Sequence, residues 1–388
     1  MTVRVGVVAT VDLSVRYVLL NQLLALERAG FDVTVISADG PDIPAVTERG
    51  IRHLTVSFTR RMAPLQDLKA TFALWRLLRR ERFTIVHTHF PKPGIFGQIA
   101  AKLARVPIIV NTLHWFFFHD HSPAGVRRLW ITLEKIAARC SSAILSQNGE
   151  DVRTAVEEGI CRPDQIERLG NGIDLTRFDP AGFSAGRRAA LRRQFGLAPD
   201  AEVVGFVGRL VLEKGIAELF EAIAELRKSR PKLRLLIVGP HDPAKADALD
   251  ASLTEKFGIS DITVFTGFQH DTPSMYTMMN VFVLPSHREG FPRTAMEASA
   301  MGVPLVVTDI RGCREAVIAE RNGLFVPTHA AAAIAAAAQR ILADAELAAR
   351  LSVGGREMAR ERFDEQMVFE KVRQTYLRLL KAKGLSAP

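Results

Sequence analysis

Residues 281–307 read VFVLPSHREGFPRTAMEASAMGVPLVV. The stretch opens on an apolar run from Val281 to Pro285 and crosses a polar loop at Glu289-Gly290-Phe291. It continues as an alanine-rich helix and returns through Gly302-Val303-Pro304 to a second apolar run. Strand, loop, helix and strand make one unit of a parallel sheet, with polar groups at the strand's carboxyl end, where open α/β sheets bind ligands. Pro292 suits a first helical turn, and Ala295, Met296, Ala298 and Ala300 favour its continuation. Glu289 then lies in the loop before the helix and Glu297 about two turns inside it. Eight helical positions span roughly 12 Å, so the two carboxylates could accept hydroxyl hydrogen bonds at both ends of one elongated ligand. N–H groups near Gly290 and Phe291 would face an anionic centre between them. Glutamates at a helix start also serve for capping alone; the position of this pair at a strand end argues for the ligand.

The same alternation runs through the chain. Short apolar strands are expected at Val3–Ala9, Asp32–Ser37, Ile85–Thr88, Ile108–Thr112 and Ala143–Ser146. The pattern pauses at Gly170-Asn171-Gly172-Ile173-Asp174 and stays polar to about Pro199. It resumes at Val203–Val207, Leu233–Val238, Thr263–Phe265, Val281–Leu284 and Leu305–Thr308. Buried parallel strands separated by helices imply an α/β fold with two doubly wound, Rossmann-like domains facing across a cleft. The first domain is expected over residues 1–182 and the second over 183–362. In the tail, Phe363, Met367, Val368, Val372, Tyr376 and Leu379 recur at helical spacing, so a helix over about 363–388 is expected to return to the first domain.

A chain of 388 residues with 48% hydrophobic and 24% charged side chains suits two globular domains. No apolar run reaches the ~18 residues of a membrane span, and Val3–Ala9 goes straight into a strand pattern with no signal peptide. Three scattered cysteines (Cys140, Cys161 and Cys313) do not make a disulfide framework or a zinc site, which points to a cytoplasmic setting. The net charge of +9 is uneven. Arg60, Arg61, Lys69, Arg76, Arg79, Arg80 and Arg82 crowd between Phe58 and Phe83, together with Leu65, Leu68, Phe72 and Trp75 at helical spacing. This basic amphipathic helix fits either a solvated face on a core-packed helix or contact with an anionic membrane surface. No reader motif accompanies the charge, so nucleic acid is not expected.

Arg209 and Lys214 flank the loop after Val203–Val207, between Gly208 and Gly215, as two fixed cations suited to a diphosphate. The segment lacks a G-x-x-x-x-G-K-[ST] phosphate loop. His114 ends a first-domain strand, followed by Trp115, Phe116, Phe117 and Phe118, which fit buried packing or an apolar lip. His87 and His89 share one face of their strand. Without a cysteine or a clear carboxylate partner, they fit a structural or acceptor-side role better than a metal pair. No two aspartates stand two apart, so the usual carboxylate motif for magnesium on a nucleotide sugar is missing. Positive side chains and a helix terminus would have to neutralise a leaving diphosphate.

Gly208-Arg209, Glu213-Lys214-Gly215, Thr266-Gly267-Phe268, Glu289 to Glu297, Gly302-Val303-Pro304 and Asn322-Gly323-Leu324 together resemble the retaining glycosyltransferases of family four, which have the GT-B fold. Asn171-Gly172-Ile173-Asp174, with Phe178 and Pro180, is similar to that family's interdomain link. The resemblance covers essentially the whole chain. It implies that Arg209 and Lys214 hold a donor diphosphate, Glu297 the ribose hydroxyls and Glu289 the donor sugar. It sets Gly267 and Phe268 beside the base, Gly208, Gly290 and Phe291 beside the phosphates, and His114 near the transferred sugar. Retention by front-face substitution requires no enzyme nucleophile. Where the family's first loop usually carries glycine, this chain has Thr10-Val11-Asp12-Leu13-Ser14. That loop and His87-Thr88-His89-Phe90-Pro91-Lys92 look similar to the branch that builds capsular polysaccharide and lipid-linked repeat units, which places Asp12, Ser14, His89 and Lys92 on the acceptor side.

The resemblance thus implies a retaining, metal-independent transferase moving a hexose or N-acetylhexosamine from a nucleotide sugar, a UDP-sugar by preference, to a polyprenyl-diphosphate-linked saccharide. It would need no cofactor and would work in the cytoplasm, peripherally on the inner face of the plasma membrane. A soluble acceptor, a nucleotide-sugar isomerase and a non-catalytic nucleotide-binding protein are the competing readings. The sequence leaves the base, sugar, acceptor and linkage open.

Overall fold

The computed structural model describes residues 2–59, 63–118, 122–240 and 252–388. Arg60 and Arg61 of the basic segment lie outside the described residues. The chain divides into two compact units: unit 1 is Met1–Gly170 with Gln366–Pro388, and unit 2 is Asn171–Glu365. The division falls earlier than residue 182 because the link belongs to unit 2. Arg293 donates to the Gly172 carbonyl (3.0 Å), Asn171 Nδ2 donates to the Phe291 carbonyl (3.3 Å), and Ile173 bridges to Asp364.

Among the described residues unit 1 carries seven strands: β1 (Arg4–Val8), β2 (Asp32–Ser37), β3 (Arg52–Thr55), β4 (Ile85–His89), β5 (Ile108–Leu113), β6 (Ala143–Ser146) and β7 (Ile166–Arg168). All pair in parallel in the order β3-β2-β1-β4-β5-β6-β7. Valine and isoleucine fill the central strands because helices cover both faces and leave few positions for polar side chains. The order reverses between β1 and β4, so the loops after those two strands diverge and leave a crevice at their carboxyl ends.

The helix Glu365–Ala382 closes this unit's core with Val368, Phe369, Val372, Tyr376 and Leu380. Two residues of the expected stripe behave otherwise: Phe363 is buried in unit 2, and Met367 is exposed. The helix Pro64–Glu81 turns Asp67, Ala70, Leu74, Leu78 and Glu81 inward and ends on Arg82 in the left-handed region (φ 52°). Its expected apolar set is not what the core takes. Leu65, Leu68 and Phe72 are 78, 68 and 56% exposed, because Leu74 and Leu78 on the opposite face already fill the core.

Unit 2 carries β8 (Glu202–Val207), β9 (Leu233–Val238), β10 (Thr263–Phe265), β11 (Val281–Leu284), β12 (Leu305–Thr308) and β13 (Gly323–Val326). The parallel order is β10-β9-β8-β11-β12-β13, with its reversal between β8 and β11. Both units are therefore doubly wound. Among the described residues no helix is long and apolar enough to cross a membrane.

Candidate functional site

At the switch point of unit 2, the loop after β8 carries Gly208, Arg209 and Lys214, and the loop after β11 carries Ser286, Glu289 and Gly290. Lys214 Nζ meets Glu289 Oε1 at 2.5 Å, and Ser286 Oγ donates to the same oxygen at 2.7 Å. A short helical turn, Leu212–Lys214, ends on Gly215 in the left-handed region (φ 68°), and the helix Ile216–Leu226 starts there. A Cβ at Gly215 would collide with the Pro285 carbonyl oxygen, so glycine is what lets the two loops touch. The His287 amide donates to the Glu213 carbonyl (2.9 Å), fixing the same contact. From behind, Gly312 lies so close that a Cβ would collide with the Glu289 carbonyl oxygen.

The second carboxylate sits in a drier environment. Tyr276, fully buried, donates its hydroxyl to Glu297 Oε2 at 2.8 Å. Burial raises the Glu297 carboxyl above its usual range, and the charge of Arg293 acts against that. The helix begins at Arg293 with Pro292 as its extended N-cap (φ −69°, ψ 110°). Glu297 is thus little more than one turn in, not two. Phe291 holds the entry still: its ring is buried against Phe363 (centroids 6.0 Å), so only its backbone is left for a ligand. At the end of β10, the Gly267 carbonyl accepts from the Gly239 amide (3.0 Å), and Phe268 stands 48% exposed beside His270.

In unit 1, β1 and β4 again bring the expected residues to the crevice. Asp12 accepts from the Asp42 amide (3.2 Å), and the Ser14 amide closes a turn onto the Val11 carbonyl (3.2 Å). His89 Nδ1 lies 3.3 Å from His114 Nε2, while its Nε2 is buried without a partner. An unsatisfied acceptor costs less than an unsatisfied donor. The favoured tautomer of His89 therefore carries its proton on Nδ1 and donates it to His114. Burial, then the neighbouring His87, holds the His89 ring neutral, well below the usual imidazole range. His114 is buried and stacks on Phe90 (centroids 4.2 Å), whose backbone takes a left-handed φ of 68°. His87 bridges Tyr376 (2.8 Å) and Thr112 (2.7 Å), and burial pushes its ring down to about 3.

Lys92, expected on the acceptor side, lies three residues past β4. Its ammonium is buried and pairs with Asp67 at 2.6 Å, so the charge holds the helix Pro64–Glu81 to the β4 loop. The aromatic run divides. Phe116 and Phe118 are buried and stacked on each other, Phe117 stacks on Trp130, and Trp115 remains 37% exposed.

Residues 15–177 match the family described as Glycosyltransferase Family 4, and residues 187–358 match Glycosyl transferases group 1. The chain is 30% identical to the Escherichia coli UDP-Gal:alpha-D-GlcNAc-diphosphoundecaprenol alpha-1,3-galactosyltransferase, over 80% of each chain. The chain belongs to glycosyltransferase family four.

This glycosyltransferase is also 27% identical to the Staphylococcus aureus capsular polysaccharide biosynthesis glycosyltransferase CapM, over 93% of each. Its fold matches Anabaena HepE in complex with UDP (TM-score 0.81, 20% identity, covering 97% of this chain and 100% of that one). Ser286, Tyr276 and Gly312 stand around the site of the glycosyltransferase without having been singled out in its sequence. Ser286 had a local signal, since it stands two residues past the end of β11. Tyr276 and Gly312 reach Glu297 and Glu289 from other elements, and no spacing reveals them.

Proposed function

We propose that this glycosyltransferase moves a hexose or N-acetylhexosamine, with retention, from a UDP-sugar to a polyprenyl-diphosphate-linked saccharide in cell-surface polysaccharide synthesis. The observation that carries the reading is the contact of Lys214 with Glu289 at the β8/β11 switch point. An ammonium suited to a diphosphate there touches a carboxylate suited to a sugar hydroxyl. The names of the Escherichia coli relative and of CapM supply the acceptor class and the pathway class.

In this reading Lys214 and Arg209 bind the diphosphate and neutralise it as it leaves, so the step needs no metal. Glu297, steadied by Tyr276 on one oxygen, accepts from the ribose hydroxyls with the other. Gly267 and Phe268 border the base. Glu289 orients the sugar, and His114, with its proton set by His89, contacts the sugar being transferred. The bond from C1 to the diphosphate oxygen breaks while the acceptor oxygen bonds to C1 on the same face, and the acceptor proton passes to the departing phosphate. Asp12 and Ser14 take the acceptor side.

A lipid-linked acceptor asks the enzyme to work at a surface. On the helix Pro64–Glu81, exposed Leu65, Leu68 and Phe72 fall on one stripe, with Lys69, Arg76 and Arg80 beside it. Apolar side chains flanked by cations complement an anionic lipid interface.

Two measurements test this reading. Turnover of UDP-sugars with a lipid-linked acceptor extract should vanish in Glu289→Ala and Arg209→Ala while circular dichroism is unchanged; full activity in either would refute the site. Co-sedimentation with anionic vesicles at low salt should fall several-fold in Leu68→Glu/Phe72→Glu. Turnover of a soluble saccharide by protein that binds no vesicles would favour the soluble acceptor instead.

A further inference from the structure

Beside the proposed donor loops, three side chains from three elements converge on a single point. Glu218 lies in the first turn of the helix Ile216–Leu226, His287 three residues past β11, and His329 three residues past β13. His287 Nε2 lies 2.8 Å from Glu218 Oε1, and His329 Nδ1 lies 2.9 Å from the same oxygen. The two imidazole rings are 4.0 Å apart between centroids, and the three donor atoms all fall within 4.8 Å of one another. His329 reaches this position with a backbone φ of 57°, which side-chain-bearing residues seldom adopt.

We propose that Glu218, His287 and His329 form a binding site for a divalent transition-metal ion of the zinc class. Two imidazole nitrogens and one carboxylate oxygen are a donor set that zinc takes with bonds of about 2.0–2.2 Å, water completing a tetrahedron. Bonds of that length set neighbouring donors roughly 3.3 Å apart. The two carboxylate–imidazole separations of 2.8 and 2.9 Å need to open by a few tenths of an ångström, and the two imidazole nitrogens, within 4.8 Å of each other, to settle at the same spacing. The chemistry of the triad also favours the ion. Glu218 faces both imidazoles through one oxygen, so an anionic ligand and two nitrogen ligands already point at a common centre. Glu218 and His287 are largely shielded while His329 is open to solvent, so an ion has an entry side and a wall.

The ion would not touch the diphosphate or take part in the transfer. It would crosslink the first turn of the helix Ile216–Leu226 to the loops after β11 and β13 at the carboxyl edge of the sheet. Two of these lead to the residues of the donor site: Glu218 stands four residues after Lys214, and His287 two before Glu289. The site is therefore structural, and its existence does not depend on the reading of the donor site.

The test uses the full chain, stripped with chelator, dialysed against micromolar zinc and weighed for metal by mass spectrometry. Cobalt absorption provides an independent signature of imidazole and carboxylate ligation. Wild type should retain one ion per chain and gain thermal stability. His329→Asn, which keeps a residue tolerant of the left-handed backbone, and Glu218→Gln should each weaken zinc binding at least about tenfold. Loss of even a supporting group outside the ligand set costs that much. No retained zinc in wild type, or equal retention in both variants, overturns the proposal. UDP calorimetry on the same samples keeps the two readings apart: zinc retained without UDP binding defeats the donor assignment only.

Discussion

Glu134 lies buried in the helix Ala124–Ala138, and burial followed by the nearby charge of Asp151 pushes its carboxyl up to about 8. In the unfolded chain the same group ionises near 4.5. Below that value both states are protonated and the group is neutral to stability. As pH rises toward 8 only the unfolded chain gains the charge, so stability falls across this window. Glu134→Gln should therefore stabilise unit 1 by roughly 2–4 kcal/mol at pH 8 and by almost nothing at pH 4. All three tryptophans (Trp75, Trp115 and Trp130) belong to unit 1, so their fluorescence during urea unfolding reports this unit alone. An equal shift at both pH values would show that Glu134 is not held neutral.

At the scale of elements, the buried Lys92–Asp67 pair joins the β4 loop to the helix Pro64–Glu81. Lys92→Met leaves the buried Asp67 carboxylate without its ammonium and, among the described residues, with the Ala63 amide as its remaining donor, and should cost about 3–5 kcal/mol in the fluorescence-detected transition. Lys92→Met/Asp67→Leu should recover much of that loss, because neither charge then remains buried. If the double variant is as unstable as the single one, the pair is not what holds the helix.

The elements also show what a sequence can disclose. Strands β2, β6, β9, β11 and β12 end where the apolar runs end, because each run is buried almost throughout, and β10 does so although it is a partly exposed edge strand. Strands β3, β7 and β13 went unseen. All three lie at sheet edges; Arg52-His53-Leu54-Thr55 and Ile166-Glu167-Arg168 largely face solvent and need no apolar run, whereas β13 is apolar and mostly buried and was read only as part of the motif Asn322-Gly323-Leu324. The helix Pro64–Glu81 was legible as a helix but its orientation was not, since it carries two apolar stripes and only packing decides which one is covered. Lys92 was placed on the acceptor side by resemblance, and its pairing was not legible because its partner, Asp67, stands 25 residues away. The Glu218–His287–His329 cluster was hidden for the same reason, with separations of 69 and 111 residues from Glu218.

Across the whole molecule, the two units repeat one architectural solution: a parallel sheet that reverses its order and gathers functional side chains at the reversal. Arg209, Lys214 and Glu289 do so between β8 and β11, and Asp12, Ser14, His89 and His114 lie at the carboxyl ends of β1, β4 and β5. Unit 1 is completed only by the last segment of the chain, whose Tyr376 packs on Phe31 (5.5 Å) and supports His87 behind His89. The central claim is that unit 2 binds the donor diphosphate through the β8 loop. Titration calorimetry of UDP against wild type and Lys214→Met tests it most directly, with far-UV circular dichroism confirming that unit 2 stays folded, since no tryptophan reports on it. Losing one charge-assisted hydrogen bond, worth about 1.5–3 kcal/mol, should weaken UDP binding roughly 10–100-fold; equal affinity in the two proteins would contradict the account.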